Sequence, residues 1–113
     1  NPVQIVFAFL MGVPFNEAAQ VGSLMGTKLV TNEFVAYIDL IPMIKAGLSQ
    51  KATIIASFAL CGFANLGSIA IQVGGIGEIA PNRKEDLAKL GFKALICGTL
   101  ASYMSATIAG IIS

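Results

Sequence analysis

The chain has 113 residues, of which 56% are hydrophobic and 12% are charged, and its mean hydropathy is +0.81. Soluble domains carry about 25% charged residues, so this composition predicts a chain that lies in a lipid bilayer. Uncharged apolar stretches of about 20 residues are long enough to cross the bilayer as helices, which predicts an all-α fold. The net charge of +1 provides no basic face for nucleic acid. Because the sequence has no histidine and only two cysteines, a zinc site or a histidine-dependent triad is disfavoured.

The first segment, residues 1–14, is uncharged and apolar up to Pro14. We interpret it as the end of a transmembrane helix whose beginning is missing, and the chain as a fragment of a longer protein.

Residues 15–44 contain two short apolar pieces, about 18–27 and 34–41, separated by Lys28 and the polar cluster Thr31-Asn32-Glu33. Ten to fourteen helical residues reach about 15–21 Å, which is near the middle of a ~30 Å hydrocarbon core. The pattern therefore predicts a re-entrant helical hairpin over 15–44. Irregular backbone at that depth is tolerated only where it is buried in protein or lines a wet cavity.

Residues 52–79 predict a broken transmembrane helix, because CGFANLGS at 61–68 interrupts an otherwise apolar run with two glycines and polar residues. Asn65 and Ser68 are three residues apart and are expected to share a helix face. Small and polar residues also hold membrane helices together. The spacing alone leaves packing and ligand binding equally open.

Residues 82–113 predict an interfacial turn followed by a last transmembrane helix. Gly98, Ser102, Ala106 and Gly110 recur every four residues, a stripe of small side chains typical of close helix packing. The two cysteines lie in apolar runs and are expected to be buried, inert thiols.

The basic residues of the loops predict an orientation. The 81–93 segment carries four of them and the loop before Ala52 carries two. The positive-inside tendency places the 81–93 loop in the cytoplasm, so the C-terminus faces outward and the hairpin enters from outside.

Glu33 is the central functional candidate, because a carboxylate at membrane depth is costly unless it is paired or solvated and by default marks a pathway or a binding site. Transporters build midplane sites from broken helices, which places Glu33 together with Asn65 and Ser68. These side chains suit a neutral ligand with adjacent hydroxyls, or a small cation. An ion channel or ion-translocating subunit with Glu33 in the pathway is the alternative, and a purely structural subunit would tolerate Gln at position 33. An enzyme is disfavoured, because no nucleophile and base are paired.

Several stretches resemble the C-terminal region of the concentrative nucleoside transporter family, over essentially the whole chain: GTKLVTNEFVAY, FANLGSIAIQ, APNRK and TLASYMSATIAG. The resemblance implies a part of an inverted-repeat transporter core that takes up nucleosides with a coupling cation. It implies that Glu33 binds ribose hydroxyls, that Asn65 and Ser68 contact the ribose, and that Phe63 lies beside the sugar. Asn32, next to Glu33, is a further candidate for substrate binding.

The resemblance also indicates what lies outside this segment. The family's N-terminal half supplies the nucleobase contacts and the Na⁺ or H⁺ site, so no cofactor is expected here and neither base preference nor the choice of ion can be predicted. Family members usually form homotrimers. We expect a multi-pass protein of the plasma membrane, in bacteria the inner membrane, in contact with lipid.

Overall fold

The computed structural model describes residues 2–62 and 64–113, and their regular secondary structure is helical throughout. Single 3₁₀ turns at Phe15–Glu17 and Pro81–Arg83 precede the second and the last helix. The predicted all-α class is confirmed. The six α-helices are α1 (Pro2–Leu10), α2 (Ala18–Val30), α3 (Glu33–Lys45), α4 (Gln50–Ala59), α5 (Leu66–Ile79) and α6 (Lys84–Ile112).

Helices α2 and α3 pack against each other and form a helical hairpin whose tip is the two-residue turn Thr31-Asn32. The polar tip contains the residue that begins the second helix of the hairpin. The side chain of Asn32 accepts a hydrogen bond from the Val35 backbone N–H at 3.0 Å, which caps the start of α3. The apolar arms on either side of the tip are thus separate helices, as the spacing of the charges predicts.

A second interruption separates α4, which ends at Ala59, from α5, which begins at Leu66. Gly62 in this connection has φ +119°, a left-handed conformation that glycine adopts without strain. Asn65 then caps the start of α5. The interruption lies where the glycine and asparagine residues of 61–68 predict a break.

Helix α6 packs along α4 and α5. Among the described residues, the Pro81–Ile112 segment alone is both long and apolar enough to cross a membrane, and 17% of its most apolar window is buried within the chain. Helix α5 is apolar but shorter. Large apolar side chains stay exposed elsewhere too, including Phe34 at 72% and Ile71 at 73%. Such extensive apolar exposure is typical of a surface that another apolar partner or lipid covers.

The stripe of small residues on α6 is a packing surface, as predicted. A Cβ placed on Gly110 would lie 2.9 Å from side-chain atoms of Ile55 on α4, so a larger residue would require Ile55 or the helices to shift. Ala106 is fully buried, and the Ser102 hydroxyl donates to the Cys61 carbonyl at 2.8 Å. Small side chains therefore allow the close approach of α6 to α4 and to the break.

The expectation that both cysteines are buried is wrong, because Cys61 and Cys97 are exposed on this chain. An apolar sequence neighbourhood predicts burial only where water is the solvent. In a chain whose helices expose apolar faces, a cysteine in an apolar run can lie on the outer surface.

Candidate functional site

The predicted polar residues meet at a cleft between the hairpin tip and the start of α5, which we call the tip cleft. Its volume is about 530 Å³. The hairpin and α5 both contribute, and the lining residues are Thr31, Asn32, Glu33, Phe34, Val35, Asn65, Gly67, Ser68 and Ile71.

Glu33 and Asn65 contact each other across the tip cleft. Glu33 is the first residue of α3 and is half-buried, and its Oε2 accepts a hydrogen bond from the Asn65 side-chain amide at 3.4 Å. An ionised carboxylate offers about four acceptor positions. In the part of the chain that the structure describes, this is the one hydrogen bond of the Glu33 side chain. Most of its acceptor capacity is thus available to a ligand.

Two helix N-termini stabilise the carboxylate at this place. Glu33 lies in the first turn of α3, and its partner Asn65 is the N-cap of α5. Each helix N-terminus carries a partial positive charge of about +0.5. The backbone of the two helices therefore favours a negative side chain here, which explains how an acid is accommodated in so apolar a chain.

Asn65 and Ser68 form a capping box, which differs from the shared helix face expected from their spacing. Asn65 precedes the helix, and its Oδ1 accepts from the Ser68 backbone N–H at 2.8 Å. The Ser68 hydroxyl accepts from the Asn65 N–H at 3.3 Å and donates to the Asn65 carbonyl at 2.7 Å. The only described partner of the Asn65 amide nitrogen, which has two donors, is Glu33. The Ser68 hydroxyl retains one acceptor position that no described residue occupies.

The other two predicted residues have different outcomes. Asn32 is exposed and lines the tip cleft. The oxygen of its side-chain amide caps α3, so the nitrogen of that amide is the group left for a ligand. Phe63 lies outside the described residues, and its predicted contact with a sugar stays a prediction.

Three polar residues of the hairpin, to which the sequence assigned no role, contact α4 or its N-cap. Lys28 donates to the Ala59 carbonyl at 3.4 Å, the Tyr37 hydroxyl donates to the Ser57 carbonyl at 2.7 Å, and Glu17 accepts from Ser49. A signal existed for Lys28, because it is the only basic residue among the first 44. A lone cation between apolar helices needs a partner.

Comparison with known proteins decides the family. Residues 2–110 match the family profile described as the Na⁺ dependent nucleoside transporter C-terminus. The chain belongs to the concentrative nucleoside transporter family. This family consists of transporters and not of enzymes, so the predicted family and the predicted absence of enzymatic activity are both confirmed.

Relatives of this chain occur in bacteria and in animals. It is 56% identical to the uncharacterized transporter YutK of Bacillus subtilis and 44% identical to the nucleoside permease NupC of Helicobacter pylori, in each case over 92% of this chain. It is 45% identical to human solute carrier family 28 member 3 over 95% of this chain. The chain spans 26% of each bacterial relative and 18% of the human one.

Solved structures of the transporter CNTnw share the fold. An inward-facing, substrate-bound state matches with a TM-score of 0.83 and 52% identity, covering 91% of this chain and 26% of CNTnw. A variant of CNTnw in an intermediate state matches with a TM-score of 0.89 and 49% identity, covering 98% of this chain and 28% of that one. The six-helix arrangement described above is therefore that of the C-terminal region of a nucleoside transporter.

Proposed function

We propose that this chain is the ribose-binding part of a cation-coupled nucleoside transporter. The observation that carries the proposal is the Glu33–Asn65 pair in the tip cleft. The carboxylate has unused acceptors and the amide has an unused donor within the described part of the chain. Together they complement two neighbouring hydroxyl groups, each of which can donate and accept a hydrogen bond.

The arrangement has room for such a ligand. The tip cleft is within the usual range of about 300–1,000 Å³ for small-molecule sites. A sugar with vicinal hydroxyls can donate both hydroxyl protons to Glu33 while Asn65 donates to one of the hydroxyl oxygens. Ser68 and Asn32 line the same cleft, and each has one polar group that no described residue occupies. The substrate-bound state of CNTnw, which has the same fold, supports a ligand role for this region.

The proposal includes the membrane arrangement. The α2–α3 hairpin is re-entrant, α4 and α5 are the halves of one broken transmembrane helix, and α6 spans the bilayer with the 81–93 loop in the cytoplasm. An N-terminal part of the transporter supplies the nucleobase contacts, the coupling-cation site and the other half of an inverted repeat, and the complete protein is a homotrimer in the plasma membrane, in bacteria the inner membrane. The length of the relatives and the family description support this division.

The alternative of an ion channel makes a different use of Glu33, because a channel would conduct ions without saturable uptake of a solute. Membership of a transporter family favours the nucleoside site. Measurements of nucleoside uptake and of ion flux by the complete transporter separate these two functions.

The test is Glu33→Gln in the complete transporter, reconstituted in lipid vesicles. A hydrogen bond to a charged group contributes about 1.5–3 kcal/mol, against about 0.5–1.5 kcal/mol for a neutral one. We expect nucleoside uptake at low substrate concentration to fall about 10-fold or more, with unchanged insertion in the membrane. Asp39→Asn is the matched control, since Asp39 is an exposed carboxylate on the same helix.

Unchanged nucleoside uptake by Glu33→Gln would contradict the ribose role. Ion flux without saturable nucleoside uptake in the wild-type protein would instead support the channel. A loss of uptake in Asp39→Asn as large as that in Glu33→Gln would show a general effect of charge on the hairpin.

A further inference from the structure

Lys28 is a buried charge that the proposed nucleoside site does not use. It lies in the last turn of α2, is 3% exposed, and its ammonium donates to the Ala59 carbonyl at 3.4 Å. Burying an ammonium in an apolar environment is costly unless other groups compensate its charge. The location of Lys28 therefore requires a compensating partner.

The end of α4 is one such partner, beside the Glu33 carboxylate. The last carbonyls of a helix have no intrahelical donor, and together they carry a partial charge of about −0.5. The carbonyls of Ala56 and Phe58 accept from the backbone N–H groups that follow the helix, and the Ser57 carbonyl accepts from the Tyr37 hydroxyl. The carbonyl of Ala59, the last residue of α4, accepts from Lys28.

The contact is mainly electrostatic. A distance of 3.4 Å between the ammonium nitrogen and the carbonyl oxygen is longer than the usual 2.7–3.2 Å of an N–H···O hydrogen bond. A positive charge that faces the negative end of a helix is nevertheless attracted by the whole terminus and not by one oxygen alone.

This position has a known use in transport proteins. Where a transmembrane helix is broken, the C-terminal end of its first half and the unwound carbonyls bind coupling cations such as Na⁺. Here a side chain of the hairpin brings a cation to that end. We propose that Lys28 is a tethered cation, which fills the place of a bound ion at the end of α4 and thereby positions the hairpin tip for nucleoside binding.

The geometry indicates what Lys28 positions. The hairpin contacts the end of α4 through Lys28 and Tyr37, and it contacts the start of α5 through Glu33. Lys28 is five residues before Glu33, and the two side chains also attract each other electrostatically. With Lys28 and Tyr37 held on α4, the Glu33 carboxylate faces Asn65 without using its remaining acceptors. Lys28 is thus a positioning residue that acts through Glu33.

This inference rests on the proposed function, because its effect on substrate is measured as nucleoside binding. The test uses the complete transporter, purified in detergent, with Lys28→Met, Lys28→Arg and Lys28→Ala. Lys28→Met retains most of the apolar volume and removes the charge. We expect its nucleoside Kd to rise about tenfold or more, and that of Lys28→Arg to rise less. Lys45→Met, which removes an exposed lysine at the end of α3, is the matched control and should bind normally.

Lys28→Ala leaves space for a free cation. We expect millimolar methylammonium to raise its unfolding temperature without nucleoside and to restore part of its nucleoside binding, whereas the larger tetramethylammonium does neither. If the Lys28 side chain only filled space, Lys28→Met would bind nucleoside as the wild type does. Methylammonium would then have no effect on Lys28→Ala.

The outcomes are distinct. Equal Kd values for wild type and Lys28→Met overturn the inference, and so does a folded Lys28→Ala protein that methylammonium does not affect. If Lys28→Ala does not fold, equal affinities of Lys28→Met and Lys28→Arg overturn it. Failure of the proposed function appears elsewhere, as normal nucleoside binding in Glu33→Gln. Stabilisation of Lys28→Ala by methylammonium would then still support the tethered cation.

Discussion

Two glutamates at opposite ends of the hairpin contact the N-caps of α4 and α5 in the same way but with different strength. Glu17, in the turn before α2, contacts Ser49, the N-cap of α4, and Glu33 contacts Asn65, the N-cap of α5. Each pair is 32 residues apart in the sequence. The base of the hairpin therefore contacts the start of α4, and its tip contacts the start of α5.

The two carboxylates differ in how many hydrogen bonds they accept from the described residues and in the length of those bonds. Both oxygens of Glu17 accept short hydrogen bonds of 2.7 Å, from the Ser49 backbone N–H and from its hydroxyl. Glu33 accepts one bond of 3.4 Å. Charge-assisted hydrogen bonds at short distance are the strong ones. Glu17 thus holds the base of the hairpin, whereas the described residues leave most acceptor positions of Glu33 unused.

The largest expected effect is on stability, at the base. Glu17→Ala removes two charge-assisted hydrogen bonds and leaves the start of α4 with fewer partners, so we expect the free energy of unfolding to fall by about 2–4 kcal/mol. The nucleoside KM of the protein that remains folded should not change. Denaturant unfolding and uptake kinetics of the complete transporter measure both. Glu78→Ala, which removes an exposed glutamate from α5, is the control. A KM that rises in Glu17→Ala as it does in Glu33→Gln would remove the distinction between base and tip.

A smaller effect is expected from Asn65→Ser, which tests the other half of the tip pair. Serine is as good an N-cap as asparagine, but it lacks the amide that donates to Glu33. Buried polar groups left unpaired cost about 1–3 kcal/mol, or roughly five- to a hundred-fold in affinity. We expect ribonucleoside binding to weaken by an amount in this range and the difference between a ribonucleoside and its deoxy analogue to shrink.

Competition assays with purine and pyrimidine nucleosides supply the control for Asn65→Ser. The purine-to-pyrimidine preference should stay the same, because the base contacts are assigned to another part of the transporter. A change in base preference with intact sugar discrimination would show that this segment does not bind the ribose.

The smallest effect is expected at Asn32, whose oxygen caps α3. Asn32→Ser keeps a capping oxygen without adding a charge beside Glu33 and removes the exposed amide donor, so we expect nucleoside affinity to fall by no more than about threefold. Asn32→Ala removes the cap and should cost about 1 kcal/mol of stability. Binding and unfolding measurements on both variants separate the two roles. A tenfold loss of affinity in Asn32→Ser, with stability retained, would make Asn32 a direct ligand contact.

The sequence by itself indicated where the helices are interrupted, because such interruptions depend on local interactions. Asn32 and Asn65 cap the helices that follow them through bonds to residues three positions away. The four-residue stripe that includes Gly110 and Ala106 predicted the packing face of α6. The NEFVA motif led to the family. The apolar composition predicted the membrane class, since too few charged residues are available to cover a water-soluble surface.

Only the tertiary structure decided which side chains meet. The pairs Glu33–Asn65, Glu17–Ser49 and Lys28–Ala59 join residues 31 or 32 positions apart, and no local pattern specifies such contacts. The same holds for how much of each group is already used. The sequence does not distinguish the carboxylate of Glu17 from that of Glu33. It also does not show that the Ser68 hydroxyl completes a helix cap. A carboxylate is structural or available to a ligand according to how many donors the folded chain brings to it, and that number is set by the packing of the hairpin on α4 and α5.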